Sequence, residues 1–332
     1  MNTQSTSGKL LISIVVPVYN EEANVVPSYD AISHVADSLS SDYDFEFVYT
    51  DNHSTDNTFA LLRTLVDRDP RVRAFRFSKN FGYQRSIMTG YAKCRGAAAI
   101  QMDCDLQDPP EMIATFLTTW RHGADVVYGI RATRKEGKAL TMARGTFYRL
   151  INFLSEEELP VDSGDFRLVS RRVIDLLTTI NDPTPYLRGM IASMGFKQIG
   201  IRYDRRARER GESKFPLSKL IALAIDGILN HSTVPLRIST YFGLTISVVT
   251  LLLMVCYAAA KIFLHSNWPA GFTTLATLAL ASMSVNAMLL GILGEYLGRI
   301  YRQVRREPFT IIEQEVESTT AKDLASQIMS AH

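Results

Sequence analysis

Asp103 and Asp105 carry the clearest chemical potential in this 332-residue chain. They stand at i and i+2 in the run QMDCDLQDPPE, just past the apolar stretch AAAIQM. Two carboxylates leaving a strand end at that spacing can converge on one hard divalent cation. Mg²⁺ and Mn²⁺ prefer oxygen ligands and are commonly completed by substrate phosphates. A cation so placed neutralises a diphosphate leaving group. A D-x-D pair alone also occurs in solvated turns; the order apolar strand, DCDLQDPPE, helix sets this one apart. Two further polar clusters close apolar runs in the same way. Pro17, Tyr19, Asn20 and Glu21 close LLISIVV, and Asp51, Asn52, His53, Ser54 and Asp56 close DFEFVYT. No G-x-G-x-x-G follows the first run and no P-loop occurs, so both of those nucleotide-binding signatures are missing.

The elements that position these residues alternate. Leu10–Val18 is short, β-branched and apolar, as a buried parallel strand is. Further strands are predicted over 44–50, 72–77, 97–102 and 124–129. Helices are predicted over 22–38, 58–67, 80–95 and 110–121, and amphipathic helices over 140–158 and 166–180. Strands alternating with helices imply an α/β fold: a Rossmann-like, mostly parallel sheet with helices on both faces. Ligands of such sheets bind outside the carboxyl ends of the strands, where the polar clusters fall.

The C-terminal third reads differently. Between Arg237 and Lys261 lie 23 residues without a formal charge, and between His265 and Glu295 lie 29 more. About 20 apolar residues span a bilayer as a helix, so a two-helix transmembrane hairpin is predicted. A buried helical hairpin is the blander reading. Arg299, Arg302, Arg305 and Arg306 follow the second run, and the turn 265–271 carries no Lys or Arg. That bias predicts a multi-pass protein of the cytoplasmic membrane with both termini in the cytoplasm. The expected organisation is a cytosolic catalytic domain over 1–215, an amphipathic juxtamembrane helix over 216–236, two spans within 237–300 and a cytosolic tail over 301–332. Small residues Gly291, Gly294 and Gly298 leave room for a homo-oligomer through the second span. A net charge of +2 excludes a strongly basic nucleic-acid binder. Cys94, Cys104 and Cys256 share no metal-ligand spacing and form no disulfide framework; Cys104 is expected as a buried free thiol, which fits a reducing compartment.

Seven segments, in order, resemble family 2 glycosyltransferases, within the group of dolichyl-phosphate mannose synthases and bacterial polyprenyl-phosphate glycosyltransferases. They are VVPVYNEEANV, TDNHSTDNT, FSKNFGYQRSIMTGY, QMDCDLQDPPE, VVYGIRATR, DSGDFRLVSRRV and RGESKF, spanning roughly residues 10–216. The resemblance implies a GT-A type fold and a set of roles. Pro17, Tyr19, Glu21 and Asp51 match residues that hold base and ribose, with Lys79, Asn80 and Gln84 beside the nucleotide. Asp103 and Asp105 match the ribose, diphosphate and metal ligands, and Gln107 a further ligand near the metal. Arg131, Arg144, Arg210, Ser213 and Lys214 match the acceptor-phosphate region. Arg202, Arg205, Arg206 and Arg208 also fit a solvated basic loop near anionic lipids. Asp165 stands where an inverting enzyme presents a carboxylate to the acceptor, with Asp162 the near alternative; as an Asp it also suits the N-cap of a helix over 166–180. One departure is Asn52, where the family commonly has a second aspartate. It leaves UDP over GDP a preference only.

The implied reaction transfers a sugar from a nucleotide sugar to a polyprenyl phosphate at the bilayer surface, with Mg²⁺ or Mn²⁺ and with inversion. Two alternatives stand beside it. A polysaccharide synthase would carry a QxxRW segment, which neither Trp120 nor Trp268 provides. A membrane scaffold with a vestigial transferase domain has no need of Asp103, Asp105 and Gln107 together.

Overall fold

The computed structural model describes residues 8–131, 163–180, 182, 185–204, 271–304 and 308–318, with scattered positions between 241 and 252. The chain forms two compact units, one of residues 1–142, 159–214 and 307–332, the other of 143–158 and 215–306.

The first unit is built on β1 (Leu10–Val18), β2 (Tyr43–Asp51), β3 (Val72–Phe77), β4 (Ala98–Gln101), β5 (Val126–Arg131), β6 (Ser163–Ser170), β7 (Gln198–Tyr203) and β8 (Ile312–Glu317). Its helices are α1 (Val25–Ser38), α2 (Thr58–Arg68), α3 (Tyr83–Lys93), α4 (Met112–Arg121), α5 (Arg171–Thr179) and α6 (Leu187–Ser193). The strands make one sheet in the order β7-β5-β6-β4-β1-β2-β3-β8. β1 to β4 run parallel, while β6 is antiparallel to β4 and β5, and β8 is antiparallel to β3. The mostly parallel α/β sheet expected from the sequence is therefore present.

Alternation along the strands divides the core. Ile12, Ile14 and Val16 of β1 point into a cluster shared with Tyr29, Ile32, Phe59, Leu62, Ile113 and Phe116 of α1, α2 and α4. Val15 points the other way, to Ile87, Tyr91, Val173, Ile174 and Ile191 of α3, α5 and α6. Helices thus cover both faces, which is why β1 reads as an unbroken apolar run. β1 hands the chain to β2 on one side, while β4 lies on its other side, so the strand order reverses between β1 and β4. Ligand sites of open α/β sheets lie in the crevice at that reversal.

Three segments differ from the sequence expectation. Residues 163–170 form strand β6, and the helix expected from 166 begins only at Arg171. Phe166 and Leu168 face one core cluster and Val169 the other, a period of two that a central strand between β4 and β5 rewards. Asp165 is therefore no helix N-cap. Residues 198–203, given no element in the sequence reading, form β7. Within the expected tail, Ile312–Glu317 returns as edge strand β8, where Glu317 lies 3.2 Å from Arg73 and 3.1 Å from Arg95, and Glu315 3.5 Å from Lys93.

In the second unit, α7 (Phe272–Val304) runs 33 residues, about 50 Å at the helical rise. Leu275, Leu278, Met283, Met288, Leu290, Leu293 and Leu297 are exposed along it. Ser282, Ser284 and Asn286 interrupt its apolar character, and Asn286 bonds back to the Ser282 carbonyl at 3.0 Å. Among the described residues, no helix is long and apolar enough to cross a membrane. Most of the first expected span, and the helices expected over 140–158 and 216–236, lie outside the described residues.

Candidate active site

The loops leaving β1, β2 and β4 meet at the sheet reversal. Each contains one non-glycine residue held at positive φ: Asn20 at 54°, His53 at 64° and Leu106 at 54°. Such backbone is uncommon outside glycine and clusters where a loop is constrained by its surroundings. The constraint here is a lattice of hydrogen bonds. The Asn20 N–H donates to Ser54 Oγ at 2.9 Å, and Asn20 Oδ1 accepts from the Thr55 N–H at 2.8 Å. The Glu21 N–H donates to Thr58 Oγ1 at 2.8 Å, and the Asn57 N–H to Glu22 at 3.1 Å.

Asp51 lies beneath this lattice, fully buried. Its Oδ1 accepts from the Ser54 N–H at 3.0 Å, while its Oδ2 has no hydrogen-bond partner among the described residues. Arg76 Nε, 3.9 Å away, also has none. Burial raises the Asp51 carboxyl above its usual range, against the opposing pull of Ser54 and Arg76. A buried carboxylate oxygen with no partner is an open acceptor for a ligand N–H. Pro17 pairs with Thr50 in the neighbouring strand, and Tyr19, just past β1, is 47% exposed.

Asn52, the departure from the common aspartate, grips the loop ahead of α3. Its Nδ2 donates to Asn80 Oδ1 at 2.9 Å, and its Oδ1 accepts from the Phe81 N–H at 2.8 Å. Asn80 Oδ1 also accepts from the Gly82 N–H at 2.9 Å. Gly82 sits at φ 95°, which a side chain would strain. This turn delays α3 to Tyr83, three residues later than the sequence suggests. Lys79 Nζ rests over the Phe81 ring, 5.1 Å from its centre.

Asp103 follows β4. Its Oδ1 accepts from the Tyr83 hydroxyl at 2.5 Å and from Gln101 Nε2 at 3.1 Å. Burial pushes its carboxyl up to about 6; the Tyr83 hydrogen bond opposes this, and the charges of Asp108, Asp105 and Asp165 add to it. Asp105 accepts from the Gln107 N–H at 3.2 Å. Among the described residues no three His, Cys, Asp or Glu side chains converge as a metal cage. Two carboxylates under mutual repulsion still fit a divalent ion that takes its remaining ligands from substrate phosphate and water, as Mg²⁺ habitually does. Cys104, between them, is a buried free thiol, as is Cys94.

Asp165 lies across the β4–β6 pairing. Gln101 stands opposite Arg167; Asp103 comes two residues after Gln101, past the end of β4, and Asp165 two residues before Arg167 in β6. Asp165 accepts from Arg188 Nε and Nη2, both at 2.9 Å, and Arg167 Nη2 lies 3.8 Å away. Burial alone would raise this carboxyl; the Arg188 hydrogen bonds and the charges of both arginines outweigh it and hold it below the usual carboxylate range. Gln84 joins the same junction by accepting from the Leu187 N–H at 3.3 Å.

Of the acceptor-side residues, Arg131 ends β5, packed against Gly164, with its Nε buried and unpartnered. Arg144, Arg210, Ser213, Lys214 and the alternative Asp162 lie outside the described residues. Residues 13–177 match glycosyl transferase family 2. Across 91% of this chain and 93% of its own length, YkcC of Bacillus subtilis, an uncharacterized glycosyltransferase, is 37% identical. This chain is a family 2 glycosyltransferase. The SfII prophage-derived bactoprenol glucosyl transferase of Shigella flexneri is 34% identical to this glycosyltransferase, over 91% of this chain and 97% of its own. Among solved structures, a Pyrobaculum calidifontis mannosyltransferase overlays 87% of each chain at 18% identity, with a TM-score of 0.46.

The sequence reading missed Tyr83, Gln101, Arg76, Arg167 and Arg188. Gln101, a polar residue inside AAAIQM, was the one legible signal; Tyr83, Arg76 and Arg188 have meaning only through partners 20 or more residues away, and Arg167 only once its segment is a strand.

Proposed function

We propose that this glycosyltransferase moves a sugar from a nucleotide sugar, UDP-linked by preference, onto a polyprenyl phosphate, with inversion, at the cytoplasmic face of the membrane. The observation that carries the reading is the line of groups along the β1–β4 crevice, from the unpartnered Asp51 Oδ2 to Asp103 and Asp105. A base N–H at one end and a diphosphate at the other match that line. The similarity to bactoprenol glucosyl transferases over nearly their whole length supports the lipid acceptor. Uracil and guanine both offer an N–H to Asp51, so Asp51 alone does not choose between them.

Asp103 and Asp105, with Gln107, would hold Mg²⁺ or Mn²⁺, which when bound neutralises charge on a departing diphosphate. Tyr83 and Gln101 fix the Asp103 carboxylate. The Asn52–Asn80 clamp fixes the loop beside the nucleotide. An acceptor phosphate oxygen attacks the anomeric carbon, the bond from that carbon to the donor diphosphate breaks, and a nucleoside diphosphate leaves. A phosphate monoester has its second pKa near about 6, so no side chain need remove a proton. Positioning and charge complementarity supply the acceleration. The proposed acceptor-phosphate ligands are Arg131, at the end of β5, and Arg144, Arg210, Ser213 and Lys214.

Membrane attachment through two helices within 237–300 belongs to the same proposal. The uncharged runs of the sequence and the exposed leucines and methionines of α7 support it. The test is direct. Full-length protein in detergent is given Mn²⁺ or Mg²⁺, polyprenyl phosphate and a panel of labelled UDP- and GDP-sugars. A labelled lipid-linked sugar is expected with at least one donor, and none across the panel would reject the reading.

A further inference from the structure

Asp165 sees more positive charge than it needs. Arg188 binds it through two nitrogens and Arg167 lies 3.8 Å away, so the trio carries a net charge of +1. Arg167 is almost wholly buried and also donates to the Gly164 carbonyl at 3.0 Å. Arg188 differs. Its side chain is 33% exposed, against 11% for Asp165, and its Nη1 makes no hydrogen bond among the described residues. A guanidinium present only to neutralise Asp165 would have no reason to keep a donor edge open beside an already compensated carboxylate. The setting supplies a reason. β6 and β4 bring Asp165 alongside Asp103, and Tyr83, which bonds Asp103, lies within reach of the charges of both Asp165 and Arg188.

We propose that Arg188 is a phosphate-binding residue of the transfer site, presented there by Asp165, and that Asp165 is a positioning residue rather than a proton acceptor. This rests on the sugar-transfer reading above. A planar fork with one edge on a carboxylate can turn its remaining donors to a phosphate oxygen. That oxygen belongs either to the donor diphosphate or to the acceptor phosphate, and the test separates the two.

Full-length wild type, Arg188→Gln, Arg188→Lys and Asp165→Asn are compared. UDP and GDP affinities, each with Mn²⁺, are measured by titration calorimetry, and the KM for polyprenyl phosphate by initial rates. Loss of a charge-assisted hydrogen bond weakens binding by about ten- to hundredfold. A loss in nucleotide affinity with unchanged acceptor KM assigns Arg188 to the donor; the reverse assigns it to the acceptor. Asp165→Asn is expected to degrade the same constant, with the pH profile of kcat unchanged. Arg188→Lys keeps the charge but loses the fork, and should fall between wild type and Arg188→Gln.

If wild type makes no glycolipid, the functional reading fails. The Arg188 assignment is then decided by affinity for Mn²⁺–pyrophosphate and for inorganic phosphate, at least one of which must weaken in Arg188→Gln. Should Arg188→Gln not fold, by its melting curve, the decision passes to hydrogen exchange in wild type. Amides 187–190 must slow when UDP with Mn²⁺, or inorganic phosphate, is added. A folded Arg188→Gln with every one of these constants unchanged overturns the proposal. So do amides that neither ligand slows, or an Asp165→Asn with normal binding constants and a lost acid limb.

Discussion

Asp103, two residues past the end of β4, and Asp165, in the adjacent β6, live in opposite surroundings. Asp103 receives neutral donors, Tyr83 and Gln101, and faces the charges of Asp105, Asp108 and Asp165. Asp165 receives two arginines. Among the described residues, one carboxylate has no ion-pair partner and the other has two. The first fits an incoming positive ion; the second is already satisfied and unsuited to taking a proton. Environment, not residue type, assigns the two roles.

The largest test of this contrast is Asp103→Asn. Glycolipid formation should drop by about a thousandfold, the scale of removing a principal electrostatic group from a reaction centre. The thermal midpoint should hold or rise, because the substitution relieves crowding of like charges. A midpoint that falls by several degrees would erase the proposed difference between the sites. Asp165→Asn should behave in the opposite sense. It strands the buried Arg167 and the half-buried Arg188, costing about 3 kcal/mol of stability in denaturant titration.

The pH dependence follows the same logic. The folded-state value of Asp165 is depressed, so its contribution is present above the unfolded carboxyl value of about 4 and fades as pH falls through the folded value. Wild type should lose stability below that point more steeply than Asp165→Asn, as melting curves from pH 5 downward would reveal. The smallest effect is expected at the nucleotide end. Asn52→Asp keeps the acceptor for the Phe81 N–H but removes the donor to Asn80. Exchange of the Phe81 and Gly82 amides should quicken, with a stability loss of about 1 kcal/mol. The UDP:GDP preference should stay put, since Asn52 holds a loop.

Much of the sheet was legible because its strands are buried on both faces. Leu10–Val18 and Val72–Phe77 match their predicted limits for that reason. Asp51, Asp103 and Asp105 were found because a polar residue at the end of an apolar strand is conspicuous. FRLVS has the apolar spacing of the amphipathic helix expected over 166–180, and only its neighbours β4 and β5 turn it into a strand. Arg188 sits in PYLRGM, where nothing local announces a site; its partner Asp165 is 23 residues away. β8 was hidden for a related reason. Its sequence IEQEVE is acidic, and it pairs as a strand against β3, with Arg73 and Arg76, and meets Lys93 of α3 by an ion pair, more than two hundred residues earlier.

That last strand sets an order of events during synthesis. Glu317 is made 244 residues after Arg73, the cation it meets. At about 5–20 residues per second, the nascent sheet waits on the order of 10 to 50 seconds with β3 as an open edge. Until then Arg73 has only Glu46, 3.3 Å away, as its ion-pair partner among the described residues. Residues 215–306 must all be translated within that interval. A nascent chain that has not yet added Ile312–Glu317 therefore presents β3 as an unprotected sheet edge.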